Sequence, residues 1–251
     1  MIHAKVDIGQ SEISLQKAIL LYGQPPSPHS SASISYASLH RITIMDGRPV
    51  VEAGEPITRE GIRSALVDLN GVAPLELLND HILAFNGMTL VFWAPPQRRK
   101  VWFDCDEPMG KRFGVTPHPG LIFVVTDELH VYAVKGADRP QADTEIFSGP
   151  YLNTYKGGNI CMGNVRIPKA HPSQILSVTK AFFQSVFTHT NNPRIVKYEG
   201  GIYSLWNDLL DGKYKKFPDE VLLQGDSLPG KTLSQLLGHF ANTRNSGTYW
   251  R

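Results

Sequence analysis

The chain has 251 residues, a formal net charge of +2 and 41% hydrophobic content, which suits one large domain or a domain with an appended region and excludes a disordered chain. So small a charge gives no argument for nucleic acid, and two cysteines, Cys105 and Cys161, without CxxC spacing argue against a disulfide framework or a zinc quartet. The first residues carry Lys5 and Asp7 with no long apolar core, and no stretch reaches the roughly 20 apolar residues of a spanning helix, so a soluble cytoplasmic protein is expected.

In chain order, residues 24–33 read as a Ser/Pro-rich loop. Alternating apolar residues then flank Asp46-Gly47, a dipeptide that favours a tight hairpin. Over 58–70, Ile62, Leu66 and Leu69 share a helical face, with Thr58 as cap and Asn70-Gly71 as stop. Short turn-bounded apolar runs at 88–93, 101–103, 121–126 and 129–134 predict about four strands in one meander, the last two paired antiparallel across Asp127-Glu128. The cluster Gln97-Arg98-Arg99-Lys100, after Pro95-Pro96, reads as a solvated hairpin turn. It is also the sole support for a DNA-contacting accessory role. His118, flanked by Pro117 and Pro119, reads as a loop residue.

The strongest helical pattern covers 172–189, with Ile175, Val178, Phe182 and Val186 on one stripe and Leu176, Phe183 and Phe187 widening it. Pro172 suits its first turn, and Asn191-Asn192-Pro193 ends it. Further short helices are expected at 203–210 and 232–241.

Before the long helix lies the turn-rich segment 148–164, which carries Cys161. Turn residues favour a surface loop, where a thiol is accessible to a partner, so Cys161 is the candidate nucleophile. Gly157 and Gly158 supply the tight turn that exposes it. The competing reading is a half-buried small hydrophobe between Ile160 and Met162. Cys105 sits among Asp104, Asp106 and Glu107, carboxylates that raise a thiol's pKa, and is expected to be structural. A thiol hydrolase pairing Cys161 with His171 or His189 is a further possibility, without the context of a known Cys/His signature. No HExxH, P-loop or GxGxxG occurs, so no metal, cofactor or nucleotide is expected.

Helix, antiparallel strands, cysteine-bearing loop and buried helix follow one another in the order of ubiquitin-conjugating (UBC-type) enzymes. The active-site loop of those enzymes carries a His-Pro-Asn motif followed by a turn and an Ile-Cys dipeptide. Here Tyr151-Leu152-Asn153 stands at the motif, Asn153 precedes Cys161 by eight positions, and Gly158 and Ile160 fall in register. Over about 85–215 the chain resembles that family and, more narrowly, the prokaryotic UBC-like group of protein B of the bacterial plasmid PRTRC system. Tyr151 and Leu152 replace the motif His and Pro, and Asn191 and Asn192 stand where acidic gate residues are expected.

The resemblance implies an α+β, UBC-like fold: an antiparallel meander of about four strands flanked by helices, with an N-terminal α/β extension. Its domains would be an extension at 1–84, a UBC-like domain at 85–215 and a C-terminal helical tail at 216–251. It further implies that Cys161 accepts a small ubiquitin-like protein as a thioester from a ThiF-like activating enzyme and passes it to an unknown target protein. Asn153 would polarise the thioester carbonyl, Tyr151 would brace the loop, and His171 would support it. A non-catalytic docking module of the same system is the alternative.

Overall fold

The computed structural model describes residues 7–8, 11–12, 15–24, 33–58, 60–62 and 77–242, and the chain divides into two compact units, Met1–Glu76 with Arg244–Arg251, and Leu77–Thr243. In the first unit β1 (Asp7–Ile8) pairs with β2 (Ser11–Glu12), and β3 (Lys17–Gln24), β4 (Ser33–Met45) and β5 (Arg48–Pro56) form an antiparallel sheet in that order. The expected hairpin closes at Asp46-Gly47, whose φ angles of 50° and 73° are both left-handed, a turn whose twist matches its strands. At 60–62 a helical turn begins as predicted: the Gly61 N–H donates to Thr58 Oγ1 and the Ile62 N–H to the Thr58 carbonyl. The rest of the helix expected over 58–70, and most of the 24–33 loop, lie outside the described residues.

The second unit contains β6 (Ile82–Phe85), β7 (Leu90–Ala94), β8 (Gln97–Asp104), β9 (Lys111–His118), β10 (Gly120–Val125), β11 (Leu129–Val134) and β12 (Phe147–Ser148). After the cysteine loop come α1 (Ile175–Phe183), β13 (Val186–Phe187), α2 (Gly201–Leu210) and α3 (Leu233–Asn242). One antiparallel sheet has the order β12-β11-β10-β7-β6, and a second has the order β13-β8-β9. All six residues of β10 are buried, because both faces of the central sheet are covered. On the front, Leu90, Phe92, Leu121, Phe123 and Val131 pack with Val178 and Phe182 of α1 and Leu205, Trp206 and Leu209 of α2. Behind, Val91, Trp93, Ile122, Val124, Tyr132 and Val134 pack with Leu233 and Leu236 of α3.

Three local expectations change. The predicted strands do not run as one consecutive meander: β10 pairs with β11 as expected, but its other neighbour is β7. The run at 101–103 belongs to a β8–β9 hairpin in the second sheet. The basic cluster 97–100 is the first half of β8 rather than a turn, with Arg99 half-buried and its guanidinium 4.6 Å from the centre of the Phe183 ring. The long helix stops at Phe183. Ser185 donates both its N–H and its hydroxyl to the Phe182 carbonyl, and Val186 and Phe187 continue as a strand parallel to β8. In that strand Phe187 is buried and Val186 exposed, a period of two where the sequence pattern suggested 3.6.

Candidate active site

Both ends of the cysteine loop are tied to the central sheet. At its start the Trp206 Nε1–H donates to the Pro150 carbonyl at 2.8 Å. Tyr151 is buried among Phe182, Phe187, Trp206 and His118, and its hydroxyl lies 2.8 Å from His118 Nδ1. The Tyr151 hydroxyl thus meets a core histidine rather than loop backbone. His118, expected in a loop, is the buried last residue of β9; burial, aided by Arg99, lowers its pKa to about 3 and keeps its ring neutral.

After Thr154 the chain makes a tight turn. The Tyr155 N–H donates to the Asn159 carbonyl and the Gly158 N–H to the Tyr155 carbonyl. The returning strand runs along the edge of β11, where the Val131 N–H donates to the Gly158 carbonyl and the Ile160 N–H to the Leu129 carbonyl, both at 2.9 Å. The Tyr132 hydroxyl donates to the Gly157 carbonyl at 2.8 Å. Gly158 has φ 92°, and a Cβ there would stand 2.3 Å from Tyr132 Cε1. The strand thus delivers Cys161 one residue beyond a fixed edge.

Cys161 is half-buried and reduced. Its N–H donates to the Asn153 carbonyl at 2.9 Å, and Asn153 Nδ2 donates back to the Cys161 carbonyl at 3.2 Å. The same nitrogen reaches the Val186 carbonyl at 3.5 Å, Asn153 Oδ1 accepts from the Thr188 N–H, and Asn191 Nδ2 donates to the Asn153 carbonyl. The spacing of eight is thus the span of a two-stranded closure, with the buried carboxamide joining the loop to β13. The Tyr155 side chain, 42% exposed, lies beside Cys161, whose proximity raises the phenol's pKa. The arrangement suits acyl exchange at a half-buried thiol held by backbone ties.

The remaining predicted residues lie apart from this constellation. His171 caps the 3-10 turn Pro172–Gln174, with Nδ1 2.8 Å from Ser173 Oγ, and His189 Nδ1 is 2.9 Å from Thr188 Oγ1. The side-chain hydrogen bonds of neither histidine reach Cys161, so the geometry supplies no thiol–imidazole pair. Cys105 donates to the Phe187 carbonyl at 3.4 Å, and burial, then Asp104 and Asp106, push its thiol to about 11. Tyr155, Tyr132, Thr188 and Asn191 were not singled out from sequence for the roles they hold here. Only Tyr155, an exposed aromatic in the loop itself, carried a readable signal; the others act across distant segments.

Among the described residues, no group of three His, Cys, Asp or Glu side chains is arranged to hold a metal ion, and no helix is long and apolar enough to cross a membrane. A family model described as prokaryotic E2 family D matches residues 59–225, more than half of the chain. No curated protein and no solved structure matches.

Proposed function

The chain belongs to prokaryotic E2 family D, and on that premise we propose that it is a cytoplasmic conjugating enzyme that accepts a small ubiquitin-like protein on Cys161 as a thioester. The donor is a ThiF-like activating enzyme, the acceptor is a target protein, and the kinship with protein B of the PRTRC system belongs to the same proposal. One observation carries this reading: a free, half-buried thiol stands at the end of a backbone-stitched strand, with the Asn153 carboxamide on its own peptide.

In the reaction Cys161 Sγ attacks the carbonyl carbon of the incoming thioester, the new C–S bond forms, and the activating enzyme's sulfur leaves, taking up the proton that Cys161 gives up. Because one thiol replaces another, no strong base is needed. Tyr155, whose phenol lies beside the thiol, orients the sulfur. Asn153 Nδ2 can exchange its long 3.5 Å contact with the Val186 carbonyl for the developing oxyanion while keeping the Cys161 bond. A donor of that kind contributes on the order of 3 kcal/mol.

The test is a non-reducing gel of the protein with ATP, the ThiF-like enzyme and the ubiquitin-like protein encoded beside it. A thiol-labile adduct, lost in Cys161→Ala and retained in Cys105→Ala, is expected. If the activating enzyme charges the ubiquitin-like protein but no adduct forms, the carrier reading fails. The docking-module alternative predicts binding that survives Cys161→Ala with no adduct under any condition.

A further inference from the structure

The β13-β8-β9 sheet has two unlike faces. Inward lie Val101, Phe103 and Phe187, all buried, with Arg112 Nη1 donating to Asn207 of α2. The alternate residues turn outward, and the register sets Val186 opposite Trp102, Trp102 opposite Phe113, and Lys100 opposite Val115. Val186, Phe113 and Val115 are 46%, 69% and 53% exposed. A solvated sheet face ordinarily carries polar residues in such a row, so an apolar one marks an interaction surface.

Cations surround it. Lys100 Nζ lies 5.0 Å from the Trp102 ring centre and 5.1 Å from that of Phe113, and Arg98 stands two residues earlier on the same side of β8. Asp104 answers Lys111 at 3.2 Å. Among the described residues, no carboxylate pairs with Arg98 or Lys100. The row also begins at the thiol loop, because the carbonyls of Val186 and Cys161 both accept from Asn153 Nδ2.

Resting on the carrier reading of Cys161, we infer that this face seats the carried ubiquitin-like protein, through a partner surface with an apolar centre and a rim of carboxylates. A protein held on the Val186–Trp102–Phe113 row has its C-terminal tail beside Cys161. A second copy of this chain is the poorer occupant, since pairing like faces brings Arg98 and Lys100 against the same cations.

The experiment titrates isotope-labelled ubiquitin-like protein with the full chain without ATP, so that no thioester forms, for wild type, Phe113→Ser, Lys100→Glu and, as control, Phe85→Ser on β6. Phe113→Ser, at an exposed position, is expected to keep the wild-type unfolding midpoint and to weaken binding about tenfold, the loss typical of truncating a central apolar anchor. Lys100→Glu should weaken binding and lower its salt dependence, and Phe85→Ser should bind as wild type. Wild-type affinity in Phe113→Ser overturns the seat. So does a self-associated chain, seen by sedimentation, that Phe113→Ser dissociates. With ATP and the activating enzyme the two readings separate. An adduct forming as fast in Phe113→Ser as in wild type removes the seat and leaves the carrier cysteine, whereas Phe113-dependent binding without any Cys161 adduct does the reverse.

Discussion

Gly157 and Gly158 look alike in sequence and are unlike in the structure. Gly158 adopts a left-handed φ with its absent Cβ inside the Tyr132 ring, whereas the nearest atom to a Cβ on Gly157 is 3.9 Å away. Gly158→Ala combines the left-handed penalty with overpacking and should lose about 2–4 kcal/mol of unfolding free energy, while Gly157→Ala should stay within about 0.5 kcal/mol of wild type; urea titration of both variants measures the contrast. Equal losses would mean that the ring does not fix the turn. Asn153→Asp tests the neighbouring closure. A carboxylate cannot donate, so the Cys161 and Val186 carbonyls lose their partner and face a negative charge. A loss of about 2–3 kcal/mol is expected, together with faster alkylation of Cys161 once the rate is corrected for its thiolate fraction, which the new carboxylate lowers. An unchanged corrected rate would show that Asn153 does not hold the cysteine.

At the level of elements, α3 packs on the rear face of the central sheet, and its Leu236 is fully buried in that cluster. Leu236→Ala should cost about 2–5 kcal/mol. Because Tyr132 shares that cluster and also bonds Gly157, the variant should quicken hydrogen exchange in the Gly158 and Ile160 amides, and protection equal to wild type would separate the helix from the loop. Elements with local causes were legible in the sequence: Asp46-Gly47 and Asp127-Glu128 fix their hairpins within a few residues, and α2 and α3 show their apolar stripes. Long-range pairing was not. The contact of β7 with β10 skips the whole β8–β9 hairpin. The stop of α1 depends on β8 being available to receive Val186 and Phe187. Likewise the Cys161 loop was readable as a turn and a spacing, but its attachment to β11 and β13 comes from segments far away in the chain.

A buried histidine, His118 on β9, and a half-buried one, His130 on β11, lie toward the two covered faces of the central sheet, both neutral. His118 stacks with Tyr151 and Trp206 at the front and has a pKa near 3, lowered by burial and then by Arg99. His130 lies edge-on to Phe240 of α3 behind, with a pKa near 4, lowered by burial and then by His239. Both folded values lie below the unfolded value of about 6.5, so as pH falls the unfolded chain takes up protons first. Stability is full above about pH 6.5 and declines below it, by about 1.4 kcal/mol per pH unit for each group, until pH approaches 4 for His130 and 3 for His118. Asp208, whose carboxylate is held low first by Lys213 and then by Tyr198, contributes only below that window. Urea midpoints between pH 7.5 and 4.5 should therefore fall steeply in wild type, about half as steeply in His118→Gln and in His130→Gln, and little in the double variant. Equal slopes in all four would place the acid sensitivity elsewhere. Because the backbone of His130 also pairs with that of Asn159 in the returning strand of the cysteine loop, acid should loosen that loop along with α3, and the alkylation rate of Cys161 divided by that of a free thiol at the same pH should rise before global unfolding.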